Sequence, residues 1–255
     1  MMRRRVLFLA VFLFSMLMIA NRGFAHNRNY VWTEEYKTLP KNAFELENRT
    51  TLKVPDAGKS NANTWEYKPE LEYGITDHWN VAHYEVWETE NRTGVDGGGV
   101  KLKDSTTYQG FNFETKYRIG EKGKYWVDAL FYLELASKVR PKHRNEVLEG
   151  KMVLSKDFGK FNVTYNQIME SEVDRGGRTE HEFTVAAKYE IFSGVTAAVE
   201  AKGNYWKPSS HRNEFALGPT LSYENRFFWV TAGVLFGANN HADDEQARLI
   251  VGIPF

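Results

Sequence analysis

The amino-acid sequence predicts an all-β fold, an antiparallel transmembrane β-barrel of about twelve strands. After the first 25 residues, apolar and polar side chains alternate along most of the chain, which is the period of a strand with one apolar and one polar face. Aromatic residues make up 15% of the chain, although its mean hydropathy is −0.53. A membrane barrel reconciles these values, because only alternate residues face lipid and aromatic rings collect at both interfaces.

The amino terminus has the features of a secretory signal peptide. A basic cluster at 3–5 precedes an apolar run at 6–20, and Gly23 and Ala25 supply the small residues of a cleavage site. Removal of residues 1–25 takes four arginines and no acid from 33 basic and 33 acidic residues, so the mature chain has 29 against 33 and a net charge of −4. This charge argues against nucleic-acid binding. The absence of cysteine excludes disulfides and thiolate metal sites.

Strict alternation of apolar and charged residues starts at Phe44 and recurs to the carboxy terminus, with turn or loop sequences between the segments. Each segment has the ~10 residues that a tilted membrane strand needs. One predicted strand carries Ala82, Tyr84 and Val86 on a single face. A Gly-rich stretch predicts a long loop over residues 94–106.

The predicted organisation therefore has three parts, a cleaved signal peptide at 1–25, an N-terminal extension or plug at 26–42 and the barrel at 43–255. Twelve strands place both ends of the barrel on the periplasmic side. Residues 26–40 are polar and aromatic, and a strand there would make the number odd, so we interpret them as a periplasmic extension or as a plug in the barrel mouth. A soluble β-sandwich does not explain so many consecutive strands that each have a charged face.

The last ten residues, 246–255, alternate strictly and end on an aromatic residue. They resemble the carboxy-terminal strand of bacterial outer-membrane barrels, whose final Phe is part of the signal read by the barrel-assembly machinery. The resemblance implies that Phe255 is an assembly signal and that the protein lies in the outer membrane of a Gram-negative bacterium. Two further stretches, LPKNAFELE at 39–47 and YGITDHWNV at 73–81, resemble the opening hairpins of poorly characterised outer-membrane barrels from the meta-pathway of phenol degradation, which are treated as transporters.

The predicted inward face is the distinctive chemical surface of the chain. We interpret its charged residues as the lining of a porin-like channel for passive diffusion of small polar or charged solutes, with an acidic excess that favours cations or polar neutral solutes. The predicted lining residues are Glu45, Glu47, Arg49, Glu66, Lys68, Glu70, Glu72, Glu114, Lys116, Arg118, Glu134, Glu149, Lys151, Glu170, Glu182, Lys188, Glu190, Glu200, Lys202 and Arg248. In the alternative interpretation these charges pair across the lumen and fill it, which gives a plugged structural or docking barrel of an outer-membrane complex.

An outer-membrane lipid hydrolase is a less favoured alternative. Such enzymes use a Ser or His near the outer rim. The candidates are Ser209, Ser210 and His211 in one loop, with His143 and His181 near others. No motif connects them, so we expect no enzymatic activity and no cofactor.

Three loop and surface features complete the prediction. The acidic loop 243–245 offers the clustered carboxylates that Ca²⁺ prefers, but we favour a solvated loop and expect no metal. For the basic loops at 142–144, 175–178 and 211–212, we favour contact with the phosphates of lipopolysaccharide over binding of an anionic solute. Aromatic residues near strand ends are interpreted as membrane-interface residues, with sugar stacking as the alternative. They are Trp32, Trp65, Tyr67, Trp79, Tyr117, Trp126, Tyr189, Tyr223 and Trp229.

Overall fold

The computed structural model describes residues 27–58, 62–96, 99–139, 146–173, 177, 179–206 and 213–255, with the backbone alone at 92–104 and 205–206. The predicted signal peptide lies outside the described residues. The strands are β1 (Phe44–Val54), β2 (Ala62–Thr76), β3 (Trp79–Asp96), β4 (Gly99–Arg118), β5 (Asp128–Lys138), β6 (Glu146–Phe158), β7 (Phe161–Glu172), β8 (Thr179–Phe192), β9 (Val195–Trp206), β10 (Glu214–Glu224), β11 (Trp229–Gly237) and β12 (Glu245–Pro254). No helix in the described part of the chain could span a membrane.

The twelve strands form one closed barrel in which every pair is antiparallel. β1 closes the barrel because it pairs with β2 on one side and with β12 on the other, with Leu46 opposite Ile253 and Thr51 opposite Arg248. This confirms the predicted all-β antiparallel barrel of about twelve strands. We call the end at which β1 begins and β12 ends the terminal end, and the opposite end the loop end.

The alternation in the sequence becomes an alternation between the inside and the outside of the barrel. In β1, Phe44 and Leu46 are 38% and 47% exposed on the outer face, whereas Glu45 and Glu47 are 0% exposed on the inner face. A soluble protein shows the reverse, since its charged residues are the exposed ones. The wall of this barrel is therefore apolar on the outside and charged on the inside.

The interior is filled at mid-height by the N-terminal segment, which we define as residues 27–42. Residues 28–36 of this segment are buried and belong to no strand. Its aromatic and apolar side chains take part in all three apolar clusters of the described interior. Val31 and Trp32 pack with Ala216, Trp229, Leu235 and Ile250, Tyr36 packs with Leu130, Tyr132 and Val153, and Tyr30 packs with Ala186 and Ala198.

The structure differs from the prediction in the β3–β4 hairpin. Residues 94–96 and 99–106, predicted as loop, continue the two strands, with Val95 opposite Val100. The hydrogen-bonded ladder extends here without an alternating pattern, so a rule based on apolar periodicity ends the strands too early. The apolar face of β3 also points inward, because Ala82 and Tyr84 are 6% and 2% exposed.

Two aromatic residues predicted for the membrane interface lie inside the barrel instead. Trp32 is 8% exposed in the N-terminal segment, and Trp229 is fully buried, with its Nε1 donating a hydrogen bond to Glu45 Oε2 at 3.0 Å. Trp229 starts β11 on the inward side, and it packs against the backbone at Gly252, where a Cβ atom would lie 2.2 Å from the indole ring. The position of an aromatic residue near the end of a strand therefore does not specify whether its side chain faces the inside or the outside of the barrel.

Candidate functional site: the barrel interior

Glu200 on β9 holds the middle of the N-terminal segment. Its carboxylate accepts hydrogen bonds from the backbone nitrogens of Val31, Trp32 and Thr33 at 2.8, 2.9 and 2.8 Å. The Thr220 hydroxyl donates a fourth hydrogen bond at 2.7 Å. Three successive N–H groups form a concave site for an anion, and charge-assisted hydrogen bonds of this kind are the strong ones. The side chain of Glu200 thus fixes the backbone of the segment.

Arg28 and Glu34 connect the segment to the charged walls on the opposite side. Arg28 Nη1 lies 3.0 Å from Glu34 Oε2, and Arg28 Nε lies 3.0 Å from Glu47 Oε1. Lys116 Nζ on β4 lies 2.8 Å from Glu114, 3.2 Å from Glu34 and 3.4 Å from Glu72. Buried charges persist only when they are paired in this way. Burial by itself would raise the pKa of Glu34, but Arg28 and Lys116 outweigh it and lower that pKa.

A second ion network lies around Glu35. Lys188 Nζ on β8 is 2.7 Å from Glu35 Oε1, and Lys37 Nζ is 3.3 Å from Glu35 Oε2. The backbone nitrogen of Asn29 also donates to Glu35 Oε2 at 2.7 Å. Burial lowers the pKa of Lys37 to about 8, and its attraction to Glu35 compensates only in part. The positive form of Lys37 is therefore held at a cost.

Each of three aromatic residues of the segment lies beside a cation of the wall. The guanidinium of Arg248 is 5.4 Å from the centre of the Trp32 ring, Lys188 Nζ is 5.5 Å from that of Tyr30, and the guanidinium of Arg118 is 5.5 Å from that of Tyr36. Such contacts add attraction between a cation and the face of a ring. Arg248 Nη1 also donates to the Val31 carbonyl at 2.7 Å.

Two asparagines on β7 were not among the predicted site residues, yet they bind the segment directly. Asn166 Oδ1 accepts from the Glu34 nitrogen at 2.6 Å, and its Nδ2 donates to the Glu34 carbonyl at 3.0 Å. The Tyr30 hydroxyl donates to Asn162 Oδ1 at 2.9 Å. The available signal was the first half of the inward face of this strand, which carries the uncharged residues Asn162, Thr164 and Asn166 before Glu170.

One group of carboxylates has the spacing of a metal site among the described residues. Oxygen atoms of Glu45, Glu47 and Glu72 lie within 4.8 Å of one another, and all three side chains are buried. Cations already face this group, since Arg28 contacts Glu47 and Lys116 contacts Glu72. The acidic loop considered for Ca²⁺ bonds to protein instead, because Asp244 accepts from the Ala57 nitrogen at 2.7 Å and Asp243 accepts from Gln246 at 2.9 Å.

A cavity of about 590 Å³ remains between the N-terminal segment and the loop end, and we call it the lumen cavity. Its floor includes Arg28 and Trp32. Half of the predicted lining residues surround it, and these are Arg49, Glu66, Lys68, Glu134, Glu149, Lys151, Glu170, Glu182, Lys202 and Arg248. The other predicted residues do not line it, and these are Glu45, Glu47, Glu70, Glu72, Glu114, Lys116, Arg118, Lys188, Glu190 and Glu200.

Some predicted surface sites fall outside the described residues. They are the hydrolase candidates Ser209, Ser210, His211 and His143, and the basic loops 142–144 and 211–212, with most of 175–178. Only His181 of the hydrolase set is described, on β8.

No protein-family model matches the chain, and no curated protein matches it in sequence. Similar solved structures include an outer membrane channel from Pseudomonas putida, with a TM-score of 0.59 and 10% identity over 87% of this chain and 98% of that chain. The KdgM porin has a TM-score of 0.53 and 10% identity over 83% of this chain and 98% of its own. The NanC porin has a TM-score of 0.51 and 10% identity over 82% of this chain and 98% of its own. At this identity the likeness shows the fold alone, which is that of the porin-like outer-membrane barrels.

Proposed function

We propose that the protein is a channel of the Gram-negative outer membrane that admits small polar or charged solutes, and that its N-terminal segment plugs the lumen. The observation that carries this proposal is the inverted burial of the barrel wall. Apolar side chains such as Leu133 and Leu221 are 48% and 56% exposed on the outside, while carboxylates such as Glu70 are 1% exposed inside. A wall of this kind separates a hydrocarbon surrounding from a polar lumen.

The outer-membrane location rests on the sequence and on the barrel. The proposed signal peptide at 1–25 directs export, and Phe255 is the proposed signal for the barrel-assembly machinery. In the described fold, Phe255 extends the pairing between β1 and β12 at the terminal end. Its nitrogen donates to the Phe44 carbonyl at 2.9 Å, and the two rings stack with their centres 5.8 Å apart. Outer-membrane lipid and lipopolysaccharide would surround the apolar wall.

Similarity of fold to known channels supports transport without catalysis. The KdgM porin has also been solved in complex with disordered oligogalacturonate, so a barrel of this fold binds a charged solute. The resemblance to transporters of the phenol-degradation type stays a hypothesis about this chain. It rests on the stretches 39–47 and 73–81 alone.

The contacts of the N-terminal segment support the plug in preference to an extension into the periplasm. The segment is bound by wall residues from both sides, with Glu200 on β9 and Asn166 on β7. A plugged barrel is either a channel with a closed state or a structural barrel that never conducts. Single-channel recordings distinguish these two functions, because only the channel conducts once its plug is released.

A reversible tether of the plug to the wall provides the experiment. A Cβ atom at Gly233 would lie 2.7 Å from Val31 Cγ2, a separation that a disulfide between cysteines at the two positions can span once the Thr220 hydroxyl rotates away. The chain has no other cysteine, so Val31→Cys with Gly233→Cys forms one defined bridge. We expect the oxidised barrel to be silent in planar bilayers and the reduced barrel to conduct.

The two single variants are the controls, because they change the same side chains without a bridge. If the barrel conducted equally before and after reduction, the segment would not be a plug, and the proposed channel function would still hold. The channel would be contradicted if neither the reduced barrel nor a variant that lacks residues 27–37 conducted, although heat modifiability showed both to be folded. That result would favour a structural or docking barrel.

A further inference from the structure

The charges around the lumen cavity are separated between two walls. Among the described residues that line it, the half of the barrel formed by β9 to β12, β1 and β2 carries five cations and one acid. The cations are Lys202, Arg248, Arg49, Lys53 and Lys68, and the acid is Glu66. The facing half, β3 to β8, carries five acids and two cations. The acids are Glu88, Glu134, Glu149, Glu170 and Glu182, and the cations are Lys138 and Lys151.

The remaining charges of the cavity belong to the plug and cancel. Arg28 and Glu34 form an ion pair at 3.0 Å in the floor. The cavity as a whole is therefore nearly neutral, although its two walls have opposite sign. A net excess of one sign would favour ions of the other sign, whereas separated walls of opposite sign produce an electric field across the lumen.

Local pairing removes only part of this separation. Arg49 lies 2.8 Å from Glu70, a buried acid of the same half that does not line the cavity. On the basic wall, Glu66 is shared by two lysines, at 3.2 Å from Lys68 and 3.9 Å from Lys53. No described carboxylate lies within ion-pair distance of Arg248, whose guanidinium instead donates to Thr51 Oγ1 at 2.9 Å and to the Val31 carbonyl.

The acidic wall is likewise only partly neutralised. Lys151 lies 3.1 Å from Glu149, and Lys202, at the boundary between the walls, lies 3.3 Å from Glu182. Glu134 receives hydrogen bonds from Asn112 and Tyr132, which are neutral donors. No described cation lies within ion-pair distance of Glu170, which stands opposite Glu149 in the β6–β7 ladder.

We propose that the lumen cavity selects small zwitterions, solutes that carry one carboxylate and one ammonium group. The carboxylate would face the basic wall at Lys53 and Lys68, and the ammonium group would face the acidic wall at Glu170 and Glu182. A zwitterion aligned in this way gains from both walls at once, while a singly charged solute gains from one wall and is repelled by the other. The inference rests on the proposed channel, whose substrate class it names.

Four solutes of similar size separate the effects of charge and of dipole. Glycylglycine is the zwitterion, N-acetylglycinamide the neutral solute, N-acetylglycine the anion and glycylglycinamide the cation. Saturation-transfer NMR on the full mature chain in nanodiscs measures weak binding without a need for transport. We expect glycylglycine to bind about fivefold tighter than each of the other three, the gain from one well-placed ion contact in a hydrated site.

Two matched double variants and their combination test the walls. Lys53→Gln with Lys68→Gln, and Glu170→Gln with Glu182→Gln, change the net charge by two in opposite directions. Binding by net charge predicts opposite effects of the two variants on every charged solute, and gives glycylglycine no advantage. Binding by separated walls predicts that both double variants weaken glycylglycine binding. The quadruple variant, which keeps the net charge, should abolish its preference.

Equal binding of glycylglycine and N-acetylglycinamide by the unaltered chain would overturn the inference, as would a quadruple variant with an unchanged preference. Swelling of liposomes that contain the protein separates this failure from failure of the channel. If N-acetylglycinamide enters the liposomes but glycylglycine does not bind preferentially, the zwitterion inference fails and the proposed channel stands. Preferential binding without entry of any solute, for the protein and for the variant that lacks residues 27–37, contradicts the channel and leaves a zwitterion-binding barrel.

Discussion

Glu200 on β9 accepts a hydrogen bond at 2.8 Å from the backbone nitrogen of Thr33, a residue 167 positions earlier in the chain. The same carboxylate binds the two preceding nitrogens, so one side chain satisfies three consecutive donors of a buried segment. A buried N–H without a partner is costly, and these donors have no strand to pair with. In the proposed plug, this one acid of the wall therefore holds the backbone of residues 31–33.

Glu200→Gln should release the plug. The amide keeps one acceptor oxygen, but its NH₂ group would face backbone donors, so we expect plug docking to weaken by about 1.5–3 kcal/mol. The open fraction of single-channel traces should rise roughly tenfold or more. Glu190→Gln is the control, because it removes an inward acid that lies away from residues 31–33. An unchanged open fraction in Glu200→Gln would show that this carboxylate does not hold the plug.

Gly233 and Gly218 should respond differently to alanine. A Cβ atom at Gly233 would lie 2.4 Å from the Thr220 hydroxyl, which can rotate, 2.7 Å from Val31 Cγ2 and 2.9 Å from the Trp32 ring. Gly233→Ala therefore presses on side chains, two of them in the plug, rather than on the backbone of the wall. A Cβ atom at Gly218 would lie 1.8 Å from the carbonyl oxygen of Val234, which is backbone of the next strand.

We therefore expect Gly233→Ala to raise the open fraction with a normal yield of folded barrel, at an overpacking cost of about 1–3 kcal/mol to the docked plug. Gly218→Ala should instead lower the yield or the urea midpoint of the barrel itself. Heat modifiability and urea unfolding measure the barrel, and bilayer recordings measure the plug. The same loss of folded barrel in both variants would contradict this division.

The barrel could be predicted from the sequence because its signal is local. Alternation with a period of two specifies strands and their two faces, and Glu45, Glu47 and Glu70 do lie inside as their positions in the pattern require. β3 was the exception, since its outer face carries His83 and Glu85 while Ala82 and Tyr84 point inward. Polarity alone assigns the faces of such a strand wrongly.

The binding of the plug could not be predicted from the same pattern. Alternation shows that Glu200 and Asn166 face inward, but it contains no information on which distant backbone groups they meet. The segment itself has no periodicity, and Tyr30 and Trp32 are as suitable for a membrane interface as for a core. Their burial depends on contacts with the closed barrel.

Plug docking should tighten as the pH rises from about 8 towards 10. Burial lowers the pKa of Lys37 to about 8 in the docked state, against 10.5 for a free lysine. Between these values the released segment binds more protons than the docked one, so the docked state gains stability with rising pH, by roughly 1–2 kcal/mol. Below about pH 8 both states are protonated, and Lys37 contributes no pH dependence.

The open fraction of single channels, recorded between pH 7 and 10, measures this effect. Lys37→Met should abolish the part of the pH dependence that comes from this group and should lower the open fraction at pH 7, because the cost of a buried charge is removed. A pH dependence that Lys37→Met leaves unchanged would assign the titration to another group, such as the amino terminus of the mature chain.

The outer face of β3 and β4 carries a polar cluster in a largely apolar wall. His83 Nε2 lies 3.1 Å from Glu85 Oε1, and the Tyr108 hydroxyl donates to Glu85 Oε2 at 2.5 Å. The side chains of His83 and Glu85 are about 40% exposed, and the centre of the His83 ring lies 4.8 Å from that of Phe113. If this wall faces lipid, the cluster costs free energy that only its internal hydrogen bonds offset.

Replacement of the pair by leucine, His83→Leu with Glu85→Leu, should then stabilise the barrel in a bilayer by about 1–2 kcal/mol, measured as free energy of unfolding in urea. Leu71→Ala with Phe113→Ala is the matched control on the same face, and it should destabilise because it removes apolar contact with lipid. Destabilisation by the leucine pair would mean that the cluster meets a polar surrounding, and the position of the membrane around β3 would have to be revised.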